Sequence, residues 1–210
     1  MAKFLGLDSV LVLSPHPDDA EYSISGTVMK YTHTQFHILT CSIGGNFDET
    51  TGIDRNEESK KFWESIPNAN VVDNEEFNFV INDVGEDRLV HLVDMCRTKV
   101  YWQGVLCPPQ LDSHFEHRLI NNVGRAVCRF GSRALIEYNT PSTMNTWVPM
   151  LFIDIHQQLN RKKELLNCFQ SQINRKYFHS NVVEDFHSDF FCSKRGFGRV
   201  EKFKVDFLIG

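Results

Sequence analysis

Short apolar runs at 10–14, 36–41, 69–72, 104–107, 134–138 and 151–155 alternate with stretches of helical periodicity at 19–31, 54–65, 86–98 and 116–130. An order of βαβαβαβαβ leaves few solutions, because each strand reached through a helical crossover lies parallel to its neighbour, with helices covering both faces of the sheet. The expected fold is α/β: a Rossmann-like three-layer arrangement with a mostly parallel sheet. The 210 residues suit one domain, 1–210. Within it, the part from about 156 is read as an extension: a long helix over 156–173 and then an aromatic, partly basic tail.

Ligands of such sheets bind beyond the carboxyl ends of the strands. Two histidine-bearing loops follow strands there, "PHPDDAE" at 15–21 and "CPPQLDSHFEH" at 107–117. Acidic residues at a helix start cap free N–H groups, so the first loop taken alone reads equally well as a helix N-terminus. Capping does not account for His16. A divalent metal would: His16 and Asp19, three apart, can converge on one ion while Asp18 points elsewhere. The second loop offers the imidazole that a three-ligand site lacks, from His114 or His117.

Composition narrows the function classes. Lys and Arg total 22 against 27 Asp and Glu, a net charge of −5, which argues against a broad nucleic-acid footprint. Asp8 interrupts the apolar N-terminal run, and no stretch approaches a bilayer span, so the expectation is a cytoplasmic protein with no membrane partner. The six cysteines form no C-x-x-C pair. Cys41, Cys96, Cys107 and Cys128 lie in apolar patterns, as reduced structural cysteines do.

The two loops, with two further blocks, carry a resemblance. "PHPDDAE", "DSHFEH" at 112–117, "PMLFIDIHQQLNRKKELLNCFQSQ" from Pro149 and "RGFGRVEKF" from Arg195 are similar to the PIG-L/LmbE-like family of zinc-dependent N-deacetylases, which remove acetyl groups from N-acetylglucosamine conjugates. The resemblance implies that His16, Asp19 and His117 hold Zn2+, with Fe2+ or Co2+ as alternatives for the same N/O donor set. It further implies that Asp18 is the general base and that His114, if protonated, steadies the developing oxyanion. "TGIDRNEE" resembles the family's R-x-x-E helix start, which makes Arg55 a substrate-gripping residue and Glu58 its orienter. Where the family has H-P-D-H, this chain has Phe115 and Glu116; Glu116 keeps the acid with one more methylene and is read as the orienter of an imidazole. The implied partner is a small N-acetylated sugar conjugate, with a non-sugar or thiol-conjugate amide as the alternative substrate.

Other features are read as structural. "SIGGN" at 42–46 lacks phosphate-loop spacing and is expected to turn the backbone beside the crevice. Asp154 is read as a cap for the helix after it. His33, His37, His91, His156, His179 and His187 share no ligand spacing with the two loops. "RGFGRVEK" at 195–202 resembles an RNA-binding RNP1 element, but Arg199 and Lys202 stand at two of its aromatic positions, so the stacking platform is incomplete. No G-x-S-x-G elbow supports a serine hydrolase.

Overall fold

A computed structural model describes residues 2–43, 52–72, 84–129 and 131–210. Seven strands form one sheet: β1 (Ser9–Ser14), β2 (Gln35–Thr40), β3 (Ala69–Val71), β4 (Gly104–Cys107), β5 (Ala134–Tyr138), β6 (Leu151–Asp154) and β7 (Val200–Leu208). Their order is β3-β2-β1-β4-β5-β7-β6. The first five are mutually parallel, and β7 runs antiparallel to both of its neighbours. The connecting helices are α1 (Asp19–Lys30), α2 (Gly52–Glu64), α3 (Glu86–Met95) and α4 (Phe115–Val127).

Strand β1, SVLVLS, is buried along its whole length, as a central parallel strand covered on both faces must be. Its side chains alternate between two cores: Val10 and Val12 pack with Phe36, Ile38 and Phe62, while Leu11 and Leu13 pack with Leu39, Leu92 and Val123. Its register pairs Val10 with Gly104 and Val12 with Leu106 of β4. From β1 the chain moves outward to β2 and β3, then returns to β4 on the other side, so the strand order reverses between β1 and β4. The crevice of a doubly wound sheet opens at that reversal. The loops after β1 and β4 are the two histidine-bearing loops.

The region after 156 departs from expectation. Instead of one long helix there is α5 (Leu159–Leu166), then a 3-10 turn at Gln170–Gln172. Phe169 ends the helical course by turning inward against Phe62 and Phe178. A second 3-10 turn at Lys176–Phe178 leads to α6 (Ser180–Phe186) and α7 (Phe190–Ser193). The tail was read as a packing extension, yet it supplies β7, which is hydrogen-bonded between β5 and β6. The RNP1-like segment therefore runs into an interior strand of the sheet. Asp154 does not cap the helix after it: α5 starts at Leu159 with Gln158 at its N-cap and no side-chain cap bond, and Asp154 Oδ1 instead accepts from His156 N at 3.2 Å in the turn that leaves β6. All six cysteines are free, and Cys41, Cys96, Cys107 and Cys128 are buried. Among the described residues no helix is long and apolar enough to cross a membrane.

A buried ion pair fastens this last strand to the rest. Glu201 on β7 accepts from Lys162 Nζ of α5 at 2.6 Å, and from the α1 amides Gly26 N at 2.9 Å and Thr27 N at 2.6 Å. Both charged side chains are fully buried. Gly26 permits the approach, since a Cβ there would stand 2.8 Å from Ile155 Cγ2 and 2.9 Å from Glu201 Oε1. Lys162→Met removes the cation and leaves the carboxylate buried without it. Such losses cost roughly 3–5 kcal/mol, so the denaturation midpoint in urea should fall steeply; an unchanged midpoint would show that the pair does not fasten the strand.

Candidate active site

The loop after β1 is tied to itself before it meets anything else. Ser14 Oγ donates to His16 O at 2.8 Å and accepts from Ala20 N at 3.1 Å, and His16 N donates to Asp19 Oδ2 at 3.0 Å. Asp18, at the N-cap of α1, has φ 121° and ψ −26°, a region costly for a residue with a Cβ. Its amide donates to Glu21 Oε2 at 3.1 Å. Glu21 in turn accepts from Ser59 Oγ, and from Trp63 Nε1 at 2.8 Å, which docks α2 beneath the loop. Burial pushes the Glu21 pKa up to about 7.

Carboxylates and imidazoles alternate across the two loops. His16 Nδ1 lies 3.0 Å from Asp19 Oδ2, and its Nε2 meets Glu116 Oε2. His117 Nε2 lies 3.2 Å from the same Asp19 oxygen, and its Nδ1 lies 3.0 Å from Asp112 Oδ2. Each imidazole is thus flanked by acids on both ring nitrogens. Burial opposes protonation of His16, but the hydrogen bonds to Asp19 and Glu116 outweigh it and raise its pKa to about 9. For His117, burial is outweighed by the charge of Asp19 and the bond to Asp112, and its pKa rises to about 10. Asp19, against its own burial, is held well below the usual carboxylate range by the charge of His117.

His16, Asp19 and His117 each offer one ligand atom, and these atoms lie within 4.8 Å of one another. The donor set fits a divalent cation on chemical grounds. Two imidazole nitrogens aimed at one carboxylate oxygen need protons between them when no cation is present, and two imidazoles plus a carboxylate are a zinc-type ligand set. The ring nitrogens facing Glu116 and Asp112 would keep their protons, which is how outlying carboxylates orient metal-binding histidines. A second group, His16, His114 and Glu116, also meets the distance criterion but shares His16 with the first.

The remaining expected residues are placed as follows. Asp18 is buried, and burial raises its pKa, an effect partly offset by Arg55. Arg55 Nη2 lies 2.9 Å from Asp18 Oδ2 and donates to Pro17 O at 2.9 Å, while its buried Nε has no hydrogen-bond partner among the described residues. Arg55 therefore lines the crevice with one nitrogen already committed to Asp18. His114, at the N-cap of α4, stacks on His117 with ring centroids 4.8 Å apart. Burial, then the charges of His117 and His16, lower its pKa, which counts against the protonated imidazole that the resemblance implies for it. Glu116, expected beside an imidazole, meets the Nε2 of His16 in the other loop.

Glu58 does not orient Arg55. Its carboxylate accepts from Ser171 N at 2.9 Å and from Ser171 Oγ, because the 3-10 turn at Gln170–Gln172 packs over α2. From residue 44 onward, the expected turn at 42–46 lies outside the described residues.

Sequence reasoning left several contributors unassigned. Asp112 is fully buried, accepts from Thr140 Oγ1 at 2.5 Å and from His114 N at 2.8 Å, and stands 3.0 Å from His117 Nδ1. Its signal was present in "DSHFEH", two residues ahead of the histidine pair. Tyr22, Ser142, Arg175 and Tyr177 line the same cavity of about 440 Å³ as the two loops. Their place follows only from the packing of the C-terminal third.

A family model described as PIG-L, GlcNAc-PI de-N-acetylase, matches residues 11–128. The chain belongs to the PIG-L family. Among curated proteins, none matches. Solved structures with the same fold include the N,N'-diacetylchitobiose deacetylase of Pyrococcus horikoshii, at TM-score 0.73 and 18% identity, covering 95% of this chain and 84% of that one. The 4-carboxy-2-hydroxymuconate hydratase GalB of Pseudomonas putida KT2440 gives TM-score 0.73 and 18% identity over 95% of this chain and 96% of its own. The zinc-inhibited form of teicoplanin deacetylase Orf2 gives TM-score 0.68 and 10% identity over 94% and 97%. At these identities the likeness speaks for the fold. The segment matched to the PIG-L model contains every residue of the two loops, whereas Pro141, Ser142, Arg175 and Tyr177 lie beyond it.

The charge pattern predicts proton-linked metal uptake. Both imidazole pKa values stand above the ordinary 6.5, so protonation supports the metal-free fold fully below pH 6.5, and that support is lost as pH rises through about 9 and about 10. Zinc added to metal-free protein at pH 7 should release about two protons, measured by calorimetry in buffers of different ionisation enthalpy. Affinity should rise with pH between 7 and 9. Release near zero would remove the two imidazoles from the ligand set.

Proposed function

We propose that this PIG-L protein is a metal-dependent N-deacetylase that hydrolyses the acetamide of an N-acetylglucosamine-containing substrate. The observation that carries it is the convergence of His16, Asp19 and His117 on one point, with Asp18 buried beside them in the crevice. A cation at that point, zinc in the first instance and iron or cobalt on the same donors, supplies Lewis acidity and a hydrolytic nucleophile at neutral pH.

The chain's own groups carry the proton traffic and the positioning. Asp18 takes the proton of the attacking water and returns it to the leaving amine. Its pKa, raised by burial, suits that exchange better than an exposed aspartate's would. The strained backbone at Asp18 and the ion pair with Arg55 hold the carboxylate in one orientation. Arg55, which lines the same cavity, is placed to grip the substrate from beside Asp18. His114, as a neutral imidazole, donates a hydrogen bond to the oxyanion as the carbonyl becomes tetrahedral. Glu116 and Asp112 keep His16 and His117 in their orientations.

Acetate release is the discriminating readout, since a hydratase shares the fold and only amide cleavage frees acetate. Metal-loaded protein should release acetate from at least one N-acetylated glucosamine conjugate; the absence of release across a broad panel would sink the reading. Asp18→Asn should retain the metal while kcat falls ~10² to 10⁴-fold. Wild-type kcat in that variant would reduce Asp18 to a helix cap. His114→Ala should keep the metal and lose ~10²-fold or more in kcat, whereas His117→Ala should lose the metal. Equal metal loss in the two histidine variants would make His114 a ligand and refute its assigned role.

A further inference from the structure

Of the two arginines that line the cavity, Arg55 is paired with Asp18 and Arg175 is not. The Arg175 guanidinium is exposed and makes no hydrogen bond or ion pair among the described residues, although its charge is felt at Asp18 and Tyr177. Its backbone, by contrast, is fixed. Arg175 N donates to Gln172 O at 2.9 Å, and Arg175 O accepts from Phe178 N at 2.9 Å, which locks it between two 3-10 turns.

That segment is clamped to the catalytic half from two sides. Glu58 of α2 holds Ser171 through its amide and its hydroxyl. Tyr22 of α1 donates its hydroxyl to Tyr177 O at 2.9 Å, and the two rings meet edge to face with centroids 5.7 Å apart. An exposed arginine that served only solubility would not need its backbone fixed to the two helices that carry Asp18's loop and Arg55. A guanidinium on a rigid mount, beside the apolar surfaces of Tyr177, Pro141 and the half-exposed Phe115, is organised in advance for a planar or tetrahedral oxyanion.

We propose that Arg175 is a specificity residue: it binds a carboxylate or phosphate on the part of the substrate beyond the acetamide, so that the substrate is an acidic N-acetylated sugar conjugate. The inference rests on the deacetylase reading for the position of the acetamide. It adds a site that the family match, which ends at residue 128, does not include.

The test uses three probes with the metal-loaded protein: N-acetylglucosamine 1-phosphate, the carboxymethyl glycoside of N-acetylglucosamine, and the neutral methyl glycoside. Acetate release and direct calorimetric binding are both measured. Wild type should favour at least one acidic probe by ~10-fold or more in kcat/KM, and the two acidic probes tell phosphate from carboxylate. Arg175→Ala should abolish the preference through KM, with kcat nearly unchanged. Arg175→Lys should restore part of it, because charge survives without the bidentate fork. Added salt should erode the preference in wild type and leave the alanine variant unaffected.

Turnover of the methyl glycoside equal to that of the acidic probes, or a preference that survives in Arg175→Ala, overturns the inference while leaving the deacetylase reading intact. Arg175-dependent binding of an acidic probe without acetate release from any probe supports the anion site and counts against the deacetylase reading. Neither binding nor release overturns both. Since Arg175 is exposed, its variants should melt with the parent, which separates lost recognition from lost fold.

Discussion

One oxygen atom organises this molecule's chemistry. Asp19 Oδ2 faces His16 Nδ1 from its own loop and His117 Nε2 from α4, and those imidazoles are held from behind by Glu116 and Asp112. Five buried ionisable groups in one row are tolerable only because opposite charges alternate and each nitrogen has an acceptor. Such a row requires two loops from different strands to meet. They meet because β1 and β4 are hydrogen-bonded neighbours at the reversal of strand order, and their carboxyl ends deliver residues 15–21 and 108–117 to one crevice. The sheet order, the buried β1 and the packing of α2 through Glu21 all serve that meeting.

The second constraint acts at a distance. Glu201 binds Lys162 and two amides of α1, so β7, α5 and the helix that begins at Asp19 move as one unit. An ion pair at full burial is poor value as stability alone, since apolar residues of equal volume do as well. What it does here is specify. A carboxylate that must reach Gly26 N and Thr27 N can do so in one register of β7, and the inward approach is open only because residue 26 has no Cβ.

Much of this was legible in the residues. The alternation of runs gave the α/β class, the mostly parallel sheet and six of its seven strands to within one residue at either end, most plainly β1, β4 and β5, which are buried along their length and have no polar alternation to blur them. Strand β7 was missed for the opposite reason: Glu201, Lys202 and Lys204 break the apolar pattern, and what buries Glu201 is a lysine 39 residues away. The expected long helix failed where Phe169 found a pocket among aromatic rings that only the tertiary fold assembles. At the site, the spacing in "HPDD" and "HFEH" singled out His16, Asp19 and a histidine of the second loop as candidates, and the fold brings ligand atoms of His16, Asp19 and His117 within 4.8 Å of one another. Glu58 was misplaced because its partner, Ser171, lies 113 residues along the chain, and sequence spacing carries no trace of that contact.

The chain also divides its labour unevenly. The ionisable groups of the two loops fall between His16 and His117, inside the segment that matches the PIG-L model, whereas Pro141, Ser142, Arg175 and Tyr177 reach the cavity from outside that segment. The two parts touch through a few defined contacts, Glu58 on Ser171 and Tyr22 on Tyr177 among them. These contacts fix the position of the C-terminal wall beside the row from Glu116 to Asp112. Ser142 is tied to that row, its Oγ 3.3 Å from His117 Nδ1, whereas the Arg175 side chain makes no hydrogen bond or ion pair among the described residues, so a substitution at Arg175 can alter the cavity wall while the row from Glu116 to Asp112 stays as it is. Within one fold, the paired charges thus sit at the sheet reversal, while the C-terminal third brings to the same cavity one arginine, Arg175, whose side chain has no hydrogen bond or ion pair among the described residues.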